Sequence, residues 1–350
     1  MRYWGILLAT LFLWSCGTTE ETQTESVEYY QILGEAQGTT YSIIYEAGKI
    51  DPIEVKSSVD SILSAYDLQN SIYKPGSLIS LLNDSWESSF SLDSFPENNY
   101  FQTCFNVSKE VHQLTDGAFN PAVYPLVSYW GFHKADFNYE PDSLEIKNLL
   151  KLIDFSNSNF RLENDAIVRS NPESKIDFNA LAQGHSVDVL ANYLEDLGSE
   201  NYMIELGGEI KCKGNNPDKN LWRVGIDKPI ENSDPGENGF QFIASLTNIS
   251  LATSGNYRKY YEIDGQKYSH TIDPITGYPA KQNLLSVTVL SPDCVYADAF
   301  ATAFMVMGLE SSLNFIHNHE ELGLHAYFIY DENGAIQTKM TEGFEKFMLQ

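Results

Sequence analysis

The sequence predicts a single compact α+β domain in which helices flank a largely antiparallel sheet. Apolar residues at helical spacing are mixed with strand-like runs, without the strict strand–helix–strand alternation of a parallel sheet. Two hairpin signals, Asp264-Gly265 and Asn333-Gly334, each lie between strand-like runs, which favours antiparallel neighbours. The chain shows no internal repeat and no second linker, so we expect one domain over residues 29–350.

Each element follows from hydrophobic periodicity and from the residues that begin or end it. Asp51-Pro52 opens the first helix, and Ser77 caps the second. The predicted helices cover residues 51–68, 78–82, 98–114, a segment ending near 197, and 297–308. The predicted strands cover 29–45 (a pair, with breaks at Gly34 and around 38–40), two within 153–168, then 174–176, 202–206, 222–226, 242–251, 257–268 (a hairpin), 285–290, and 326–339 (a hairpin). We expect 222–226 and 242–251 to join the same sheet as 202–206.

Composition limits the classes of partner. Of the 350 residues, 43% are hydrophobic, which allows a sizeable core. The formal net charge of −26 argues against nucleic acid or anionic lipid as a bulk electrostatic partner. A local anion site built from backbone amides remains compatible with this charge.

The N-terminus has the features of an export signal. Met1-Arg2 is positively charged, and the apolar run over 3–14 falls short of the ~20 residues that span a bilayer. The run ends at Cys16, as in the lipobox of bacterial lipoproteins, where cleavage precedes a lipidated Cys. The alternative is an ordinary signal peptide with an incidental Cys. We expect a lipoprotein signal peptide over 1–15 and a polar, flexible tether over 16–28.

The remaining cysteines give no sign of a metal site or a nucleophile. Cys104, Cys212 and Cys294 are widely spaced and form no CxxC pattern. If two of them pair, one thiol stays free. Our default prediction is that they are small buried hydrophobic residues.

Polar patches lie at the ends of several apolar elements, where scaffolds tend to place chemistry. They are residues 115–121, 177–185, 207–209 and 269–277, together with the pair Asp298 and Thr302 on the last helix. His270 lies in one patch, and we weigh a functional role for it evenly against a surface turn. A helix beginning near Ala182, beside Asp177 and Gln183, points its positive end at a possible phosphate or metal-phosphate site.

Asp298 and Thr302 are four residues apart, so both lie on one face of an otherwise apolar helix. An unpaired buried carboxylate is costly, so Asp298 should meet a cation or several hydrogen-bond donors. Carboxylate and hydroxyl oxygens suit Mg²⁺ better than Zn²⁺. Spacing alone favours the alternative, in which Asp298 caps the helix and Thr302 bonds back to the backbone.

Eight motifs in register make the chain similar to the ApbE family of FAD:protein FMN transferases over nearly all its length after the tether. The matching segments are Gly38-Thr39-Thr40-Tyr41, Ser71 to Asn83, Thr115 to Pro121, Asp177 to Asp188, Gly207-Gly208, Ala252 to Gly255, Ser269 to Gly277, and Ala297 to Ala303. Three positions depart from the family pattern. Asn120 replaces Asp, Asn179 replaces Gly, and Gln183 replaces Lys. Gln keeps a hydrogen-bond donor, and Asn tolerates left-handed backbone, so we expect activity to survive.

The resemblance implies a function. Family members transfer the FMN half of FAD to a Thr hydroxyl of a target protein and release AMP. Exported members modify subunits of membrane redox pumps and related flavoproteins. For this chain the resemblance implies FAD as substrate and acceptor flavoproteins as partners. The net charge excludes nucleic acid as a partner, and the lipobox-like Cys16 implies a membrane partner, with a lipid-anchored domain facing the periplasm of a bacterial cell envelope.

The resemblance also implies roles for individual residues. Mg²⁺ would be bound by Asp298, Thr302 and the main-chain oxygen of Ala180. His270 would lie near the pyrophosphate, and either His270 or Asp298 would take the proton of the acceptor. The FAD site would be lined by Gln37, Tyr73, Ala118, Phe119, Asn120, Asp177, Gln183 and Ile272, with Tyr73 and Phe119 able to pack against the rings.

Two other functions remain open from the sequence. One is a Mg²⁺-dependent FAD pyrophosphatase that gives FMN and AMP from the same site. The other is a lipoprotein that binds flavin without catalysis, against which the intact Asp298 and Thr302 pair argues.

Overall fold

The computed structural model describes residues 28–47, 51–95, 97–131, 141–229, 237, 239–256, 260–263, 266–269, 271–280 and 283–349. Its helices are α1 (Pro52–Asn70), α2 (Leu78–Asp84), α3 (Asn99–Leu114), α4 (Tyr124–Trp130), α5 (Ser143–Leu149), α6 (Ala182–Asp196), α7 (Cys294–Met307) and α8 (Leu309–Asn318). Its strands are β1 (Tyr29–Ala36), β2 (Thr39–Glu46), β3 (Ser89–Ser91), β4 (Phe160–Glu163), β5 (Ala166–Arg169), β6 (Tyr202–Leu206), β7 (Glu209–Lys213), β8 (Trp222–Asp227), β9 (Phe240–Leu246), β10 (Ile249–Gly255), β11 (Tyr260–Ile263), β12 (Gln266–Ser269), β13 (Leu284–Ser291), β14 (His325–Glu332) and β15 (Ala335–Met340).

An eight-stranded sheet forms the centre of the molecule, in the order β1-β2-β6-β7-β10-β13-β14-β15. Every neighbouring pair in it is antiparallel, which confirms the predicted α+β class. Smaller sheets pair β3-β5-β4, β8-β9 and β11-β12. The predicted hairpin turn at Asn333-Gly334 has positive φ at both residues, as a tight two-residue turn requires.

Hydrophobic residues cover both faces of the central sheet. Val287, Val289 and Phe328 point into the larger core, which contains residues of α3 and α7. Leu290 and Ile329, one residue along the same strands, point into a second core built with β8 and β9. The two-residue period of a strand therefore buries β13 and β14 on both sides. Among the described helices, none is both long and apolar enough to cross a bilayer.

The sequence-based prediction was wrong about the sheet that contains residues 222–226 and most of 242–251. β8 and β9 pair only with each other in the described strands, and they pack across the central sheet rather than extending it. Only β10, which begins at Ile249, joins the central sheet. Alternating strand patterns look alike in both positions, so periodicity alone cannot assign a strand to a sheet.

Two local predictions were also wrong. Gly34 does not break β1 but pairs with Tyr41, whose ring covers it, and a Cβ on Gly34 would lie 2.4 Å from Tyr41 Cζ. Residues 174–176 form no strand, because the Asn83 side chain bonds both the N–H and the C=O of Ile176, at 2.9 and 2.8 Å. A side chain thus takes the backbone groups that a strand would use.

Candidate functional site

Helix α7 presents Asp298 to the interior of the protein. The helix is almost entirely buried, and the Asp298 side chain is 6% exposed. The Gly184 N–H donates to Asp298 Oδ2 at 3.0 Å. Because α7 begins at Cys294, Asp298 lies one turn inside the helix, so the capping alternative was wrong. Burial raises the pKa of Asp298 to about 7, since desolvation disfavours the ionised carboxylate.

Glycine at position 184 allows α6 and α7 to touch. A Cβ there would lie 2.4 Å from the carbonyl oxygen of Cys294 and 2.8 Å from Cβ of Asp298. Separations this short are overlaps, so any side chain would push the helices apart. The same contact brings the backbone N–H of Gly184 to Asp298. The close approach at Gly184 is therefore that of a neighbouring helix.

The first turn of α7 is capped by a residue from another helix. Asp188 of α6 accepts hydrogen bonds from the N–H groups of Cys294 and Val295, at 3.0 and 2.9 Å. Lys211 Nζ lies 2.7 Å from Asp188 and 3.1 Å from Asp293. A carboxylate at a helix N-terminus satisfies free N–H groups and complements the helix dipole. Asp188 therefore fixes the start of α7, and with it the position of Asp298.

Thr302 lies one turn after Asp298 and faces the end of β10. Its hydroxyl is 3.3 Å from the hydroxyl of Ser254. Next to this contact, the hydroxyls of Thr253 and Thr288 are 2.9 Å apart across the β10–β13 pair. The Ala252 to Gly255 motif thus places a hydroxyl against the predicted metal ligand.

Glu209 is a second buried carboxylate in this region. It begins β7 directly after the Gly207-Gly208 turn, is 8% exposed, and its Oε2 has no hydrogen-bond partner among the described residues. Burial, and then the charge of Asp298, raise the pKa of Glu209 well above its usual value. The sequence indicated Glu209 only as part of the polar patch over 207–209, with no role of its own. The signal that could have singled it out was a carboxylate that follows a glycine pair at the start of an apolar strand.

The start of α6 meets the turns of two hairpins. The Gln183 amide packs against Gly207, where a Cβ would lie 2.8 Å from its Nε2, and Gly207 has a φ of +67°. Gln37, in the β1–β2 turn, has a φ of +53° and donates from Nε2 to Ser186 Oγ at 2.6 Å. Gln37 Oε1 is buried without a partner among the described residues. Both predicted FAD-lining glutamines therefore lie against the first turns of α6.

The loop before α6 holds Asp177, Asn179 and Ala180. Asp177 accepts from Asn179 twice, from its N–H at 2.7 Å and from its amide at 3.2 Å. The Asn179 amide also donates to the Tyr73 hydroxyl at 3.2 Å. Burial raises the pKa of Asp177 to about 6. Tyr73 is 67% exposed, whereas Ala180 is half-buried.

The loop that contains Ala118, Phe119 and Asn120 packs against Asp177. The Asp177 N–H donates to the carbonyl of Pro121 at 2.7 Å. Asn120 caps the following turn through the Ala122 N–H and donates to the Ile153 carbonyl at 2.9 Å. Phe119 is 1% exposed within the core, so its ring does not face a cleft, contrary to the expectation that it packs against flavin or adenine. Its main-chain N–H donates to Thr115 Oγ1 at 3.1 Å, and its carbonyl oxygen is 2.8 Å from His112 Nδ1.

The segment after the β11–β12 hairpin is ordered by one aspartate. Asp273 accepts from the Ile275 N–H at 2.8 Å and from the Thr276 hydroxyl at 2.9 Å. The Gly277 carbonyl accepts from the Trp130 indole at 2.8 Å. Ile272 is 5% exposed and shares the core with Phe119. His270 lies outside the described residues, as does Cys16.

A buried polar cluster lies behind the start of α6. The Tyr66 hydroxyl is 3.1 Å from both Cys104 Sγ and His185 Nδ1, and these two atoms are 3.3 Å apart. Burial lowers the pKa of His185 to about 4 and raises the pKa of Cys104 to about 12. These shifts describe a neutral, hydrogen-bonded cluster rather than a nucleophile. Cys104, Cys212 and Cys294 are all free and buried, as predicted.

Three comparisons place these features among known proteins. The ApbE family model matches residues 37–328. A FAD:protein FMN transferase of Vibrio cholerae is 34% identical over 319 residues, which cover 89% of this chain and 90% of that protein. A FAD:protein FMN transferase of Escherichia coli K12 is 30% identical over 353 residues, or 99% and 97% of the two chains. The structure of flavin transferase ApbE from Vibrio cholerae superposes with a TM-score of 0.80 at 31% identity, covering 92% of this chain and 99% of that one.

Proposed function

The chain belongs to the ApbE family, and on that premise we propose that it moves FMN from FAD to a threonine hydroxyl of a target protein. It is an FAD:protein FMN transferase, the activity that the names of its relatives give. The observation that carries the proposal for this chain is the buried Asp298 carboxylate, which α6 holds in place one turn before Thr302.

The reaction exchanges one phosphorus–oxygen bond for another. The hydroxyl oxygen of the acceptor forms a bond to the phosphorus of the FMN half, while the bridging P–O bond of the pyrophosphate breaks. AMP leaves with the bridging oxygen, and the hydroxyl proton passes to a base. Charge neutralisation and in-line positioning supply most of the catalysis in such phosphoryl transfers.

The residues present fit a magnesium ion. Asp298 supplies a carboxylate, Thr302 a hydroxyl and Ala180 a main-chain oxygen, and Mg²⁺ prefers oxygen ligands of this kind. The orphaned Glu209 Oε2 is a further buried carboxyl oxygen that no described hydrogen bond satisfies. Bound Mg²⁺ would neutralise charge on the transferring phosphoryl group.

The FAD site lies around the first turn of α6. Gln37 and Gln183 flank that turn, and Asp177 precedes it. The loop that contains Ala118, Phe119 and Asn120 would line the site next to Asp177, and Tyr73 offers an exposed ring for stacking. Ile272 would complete the site from the segment beside Phe119.

Two groups are candidates for the base. An imidazole is a common proton acceptor near neutral pH, and the family resemblance puts His270 near the pyrophosphate. Asp298 has a pKa raised to about 7 by burial, which also suits proton transfer near pH 7. The pH profile of a His270→Gln variant distinguishes the two.

We extend the proposal to the location of the enzyme. Residues 1–15 would be removed, and a lipid-anchored Cys16 would hold the domain at a membrane of a bacterial cell envelope, on the periplasmic side. The acceptors would then be exported flavoproteins such as subunits of membrane redox pumps. Radiolabelled palmitate incorporation into the wild type, and its absence from Cys16→Ala, tests the anchor.

The experiment incubates the full-length protein with FAD and an acceptor carrying a target threonine, with and without Mg²⁺. Flavin fluorescence of the acceptor in a denaturing gel and AMP release are measured together. The proposal predicts both signals only with Mg²⁺, and neither in Asp298→Asn. AMP with free FMN and an unlabelled acceptor would instead indicate a pyrophosphatase, and FAD binding without AMP would indicate a flavin-binding protein.

A further inference from the structure

Glu209 is buried without a described partner, and its position in the fold shows what it could bind. Its neighbour in sequence, Ile210, accepts a hydrogen bond from the Cys294 thiol at 3.6 Å. Cys294 in turn packs its carbonyl against Gly184, beside Cβ of Asp298. The start of β7 and the first turns of α7 therefore meet at one place. Alternate side chains of a strand lie on the same face, so Glu209 lies on the face of β7 that carries Lys211, whose amine contacts Asp188 of α6 and Asp293 at the start of α7.

No described cation balances the charges of Glu209 and Asp298. The nearest lysine along β7, Lys211, is paired with Asp188 and Asp293. Among the described residues, neither Glu209 nor Asp298 forms a salt bridge, and the Gly184 N–H is the one described donor to Asp298. Two uncompensated carboxylates that lie close together inside a protein are costly, because each lacks water and each repels the other.

We propose that Glu209 is a further cation-binding residue, which adds a second negative charge to the Mg²⁺ site of Asp298 and Thr302. The inference rests on the proposed function, because it assumes that a cation binds at Asp298. It concerns a residue that the family resemblance did not assign.

The second carboxylate has a consequence for the order of binding. Mg²⁺ is usually held by one or two protein carboxylates together with phosphate oxygens of the substrate. A site with Asp298 alone carries one negative charge and depends on those phosphates, whereas Asp298 with Glu209 neutralises a divalent ion. The protein is therefore expected to bind its cation before FAD arrives.

The test measures Mn²⁺ binding to the full-length, metal-free protein without FAD, from the electron paramagnetic resonance signal of free Mn²⁺. Wild type is expected to bind one Mn²⁺. Glu209→Gln is expected to weaken binding at least about tenfold, within the range seen when groups around a metal site are removed. Glu205→Gln is the matched control, because it removes the same charge two residues before Gly207, where Glu205 already accepts from the Gly208 N–H at 2.9 Å. It should change the affinity less than about twofold.

Thermal unfolding without metal gives a second measurement. Its expected result differs from the result that a purely structural role of Glu209 would give. The melting temperature of Glu209→Gln in EDTA should not fall, because the amide replaces a carboxyl oxygen that has no described partner, while the stabilisation gained from added Mn²⁺ should shrink. A lower melting temperature with unchanged Mn²⁺ affinity would overturn the inference. Glu209→Ala, measured alongside, should show the same loss of affinity.

Asp298→Asn distinguishes a failure of the Glu209 inference from a failure of the proposed metal site. If Asp298→Asn loses Mn²⁺ while Glu209→Gln binds as tightly as wild type, the metal site stands and the role of Glu209 is refuted. If wild type itself binds no Mn²⁺ without FAD, the preloaded site is refuted. Mg²⁺-dependent flavin transfer, measured separately, then decides whether the proposed function stands.

Discussion

Replacing Gly184 by alanine tests whether the contact between α6 and α7 sets the position of Asp298. The new Cβ would lie 2.4 Å from the Cys294 carbonyl oxygen, so the helices must separate by about 1 Å to restore normal contact. Overpacking of this kind costs about 1–3 kcal/mol. The same movement stretches the hydrogen bond from Gly184 to Asp298, worth about 1.5–3 kcal/mol for a charged acceptor.

Alanine has a higher helix propensity than glycine, which offsets about 1 kcal/mol of this cost. The net expectation for Gly184→Ala is a loss of about 1.5–5 kcal/mol in the free energy of unfolding, measured by urea denaturation in EDTA. Asn192→Ala, at an exposed position of α6, serves as the control and should stay within about 0.5 kcal/mol of wild type. Flavin transfer should fall by more than tenfold in Gly184→Ala. Wild-type stability and activity in this variant would refute the packing account.

Three further changes test other parts of the site. Asp188→Ala removes the cap of α7 and leaves Lys211 without its closest partner. It should therefore lower the free energy of unfolding, measured in urea, by about 3 kcal/mol. An effect below about 1 kcal/mol would contradict the capping role. His185 has a folded-state pKa of about 4, below its usual 6.5, so the unfolded state takes up the proton first as pH falls. This group should therefore contribute a loss of about 2 kcal/mol to the free energy of unfolding between pH 7 and 4.5. His185→Gln should remove that part of the loss, measured by urea unfolding at the two pH values. A pH dependence identical to that of wild type would contradict this expectation. Tyr73→Ala should raise the KM for FAD about tenfold, while the KM of Tyr73→Phe stays near that of wild type, because the exposed ring rather than the hydroxyl would stack on the ligand. Equal increases in KM in the two variants would contradict stacking.

The parts of the fold that the sequence predicted correctly are those specified by local chemistry. Asp51 and Ser77 cap α1 and α2 as expected, through hydrogen bonds to the N–H groups of Ile53 and Ser80. The turn at Asn333-Gly334 also follows from its two residues alone. These features need no knowledge of the tertiary structure, so patterns a few residues long are enough to find them.

The errors and omissions concern contacts between distant segments. Asn83 takes the backbone groups of Ile176 across 93 positions of the chain, which no local pattern indicates. Asp188 was matched to a family motif, but its role as the cap of α7, 106 positions away, appears only in three dimensions. The role of Glu209 was not predicted for the same reason, because a carboxylate at the start of a strand is unremarkable until its burial beside Asp298 is known.

The most direct test of the central claim is the intact mass of an acceptor protein after incubation with FAD, Mg²⁺ and the full-length enzyme. The account predicts that the acceptor gains the mass of FMN less one water, with one AMP released per acceptor modified. It predicts no gain when the target threonine is replaced by alanine or when the enzyme carries Asp298→Asn. An acceptor of unchanged mass in the presence of released AMP, or full modification by Asp298→Asn, would contradict the account.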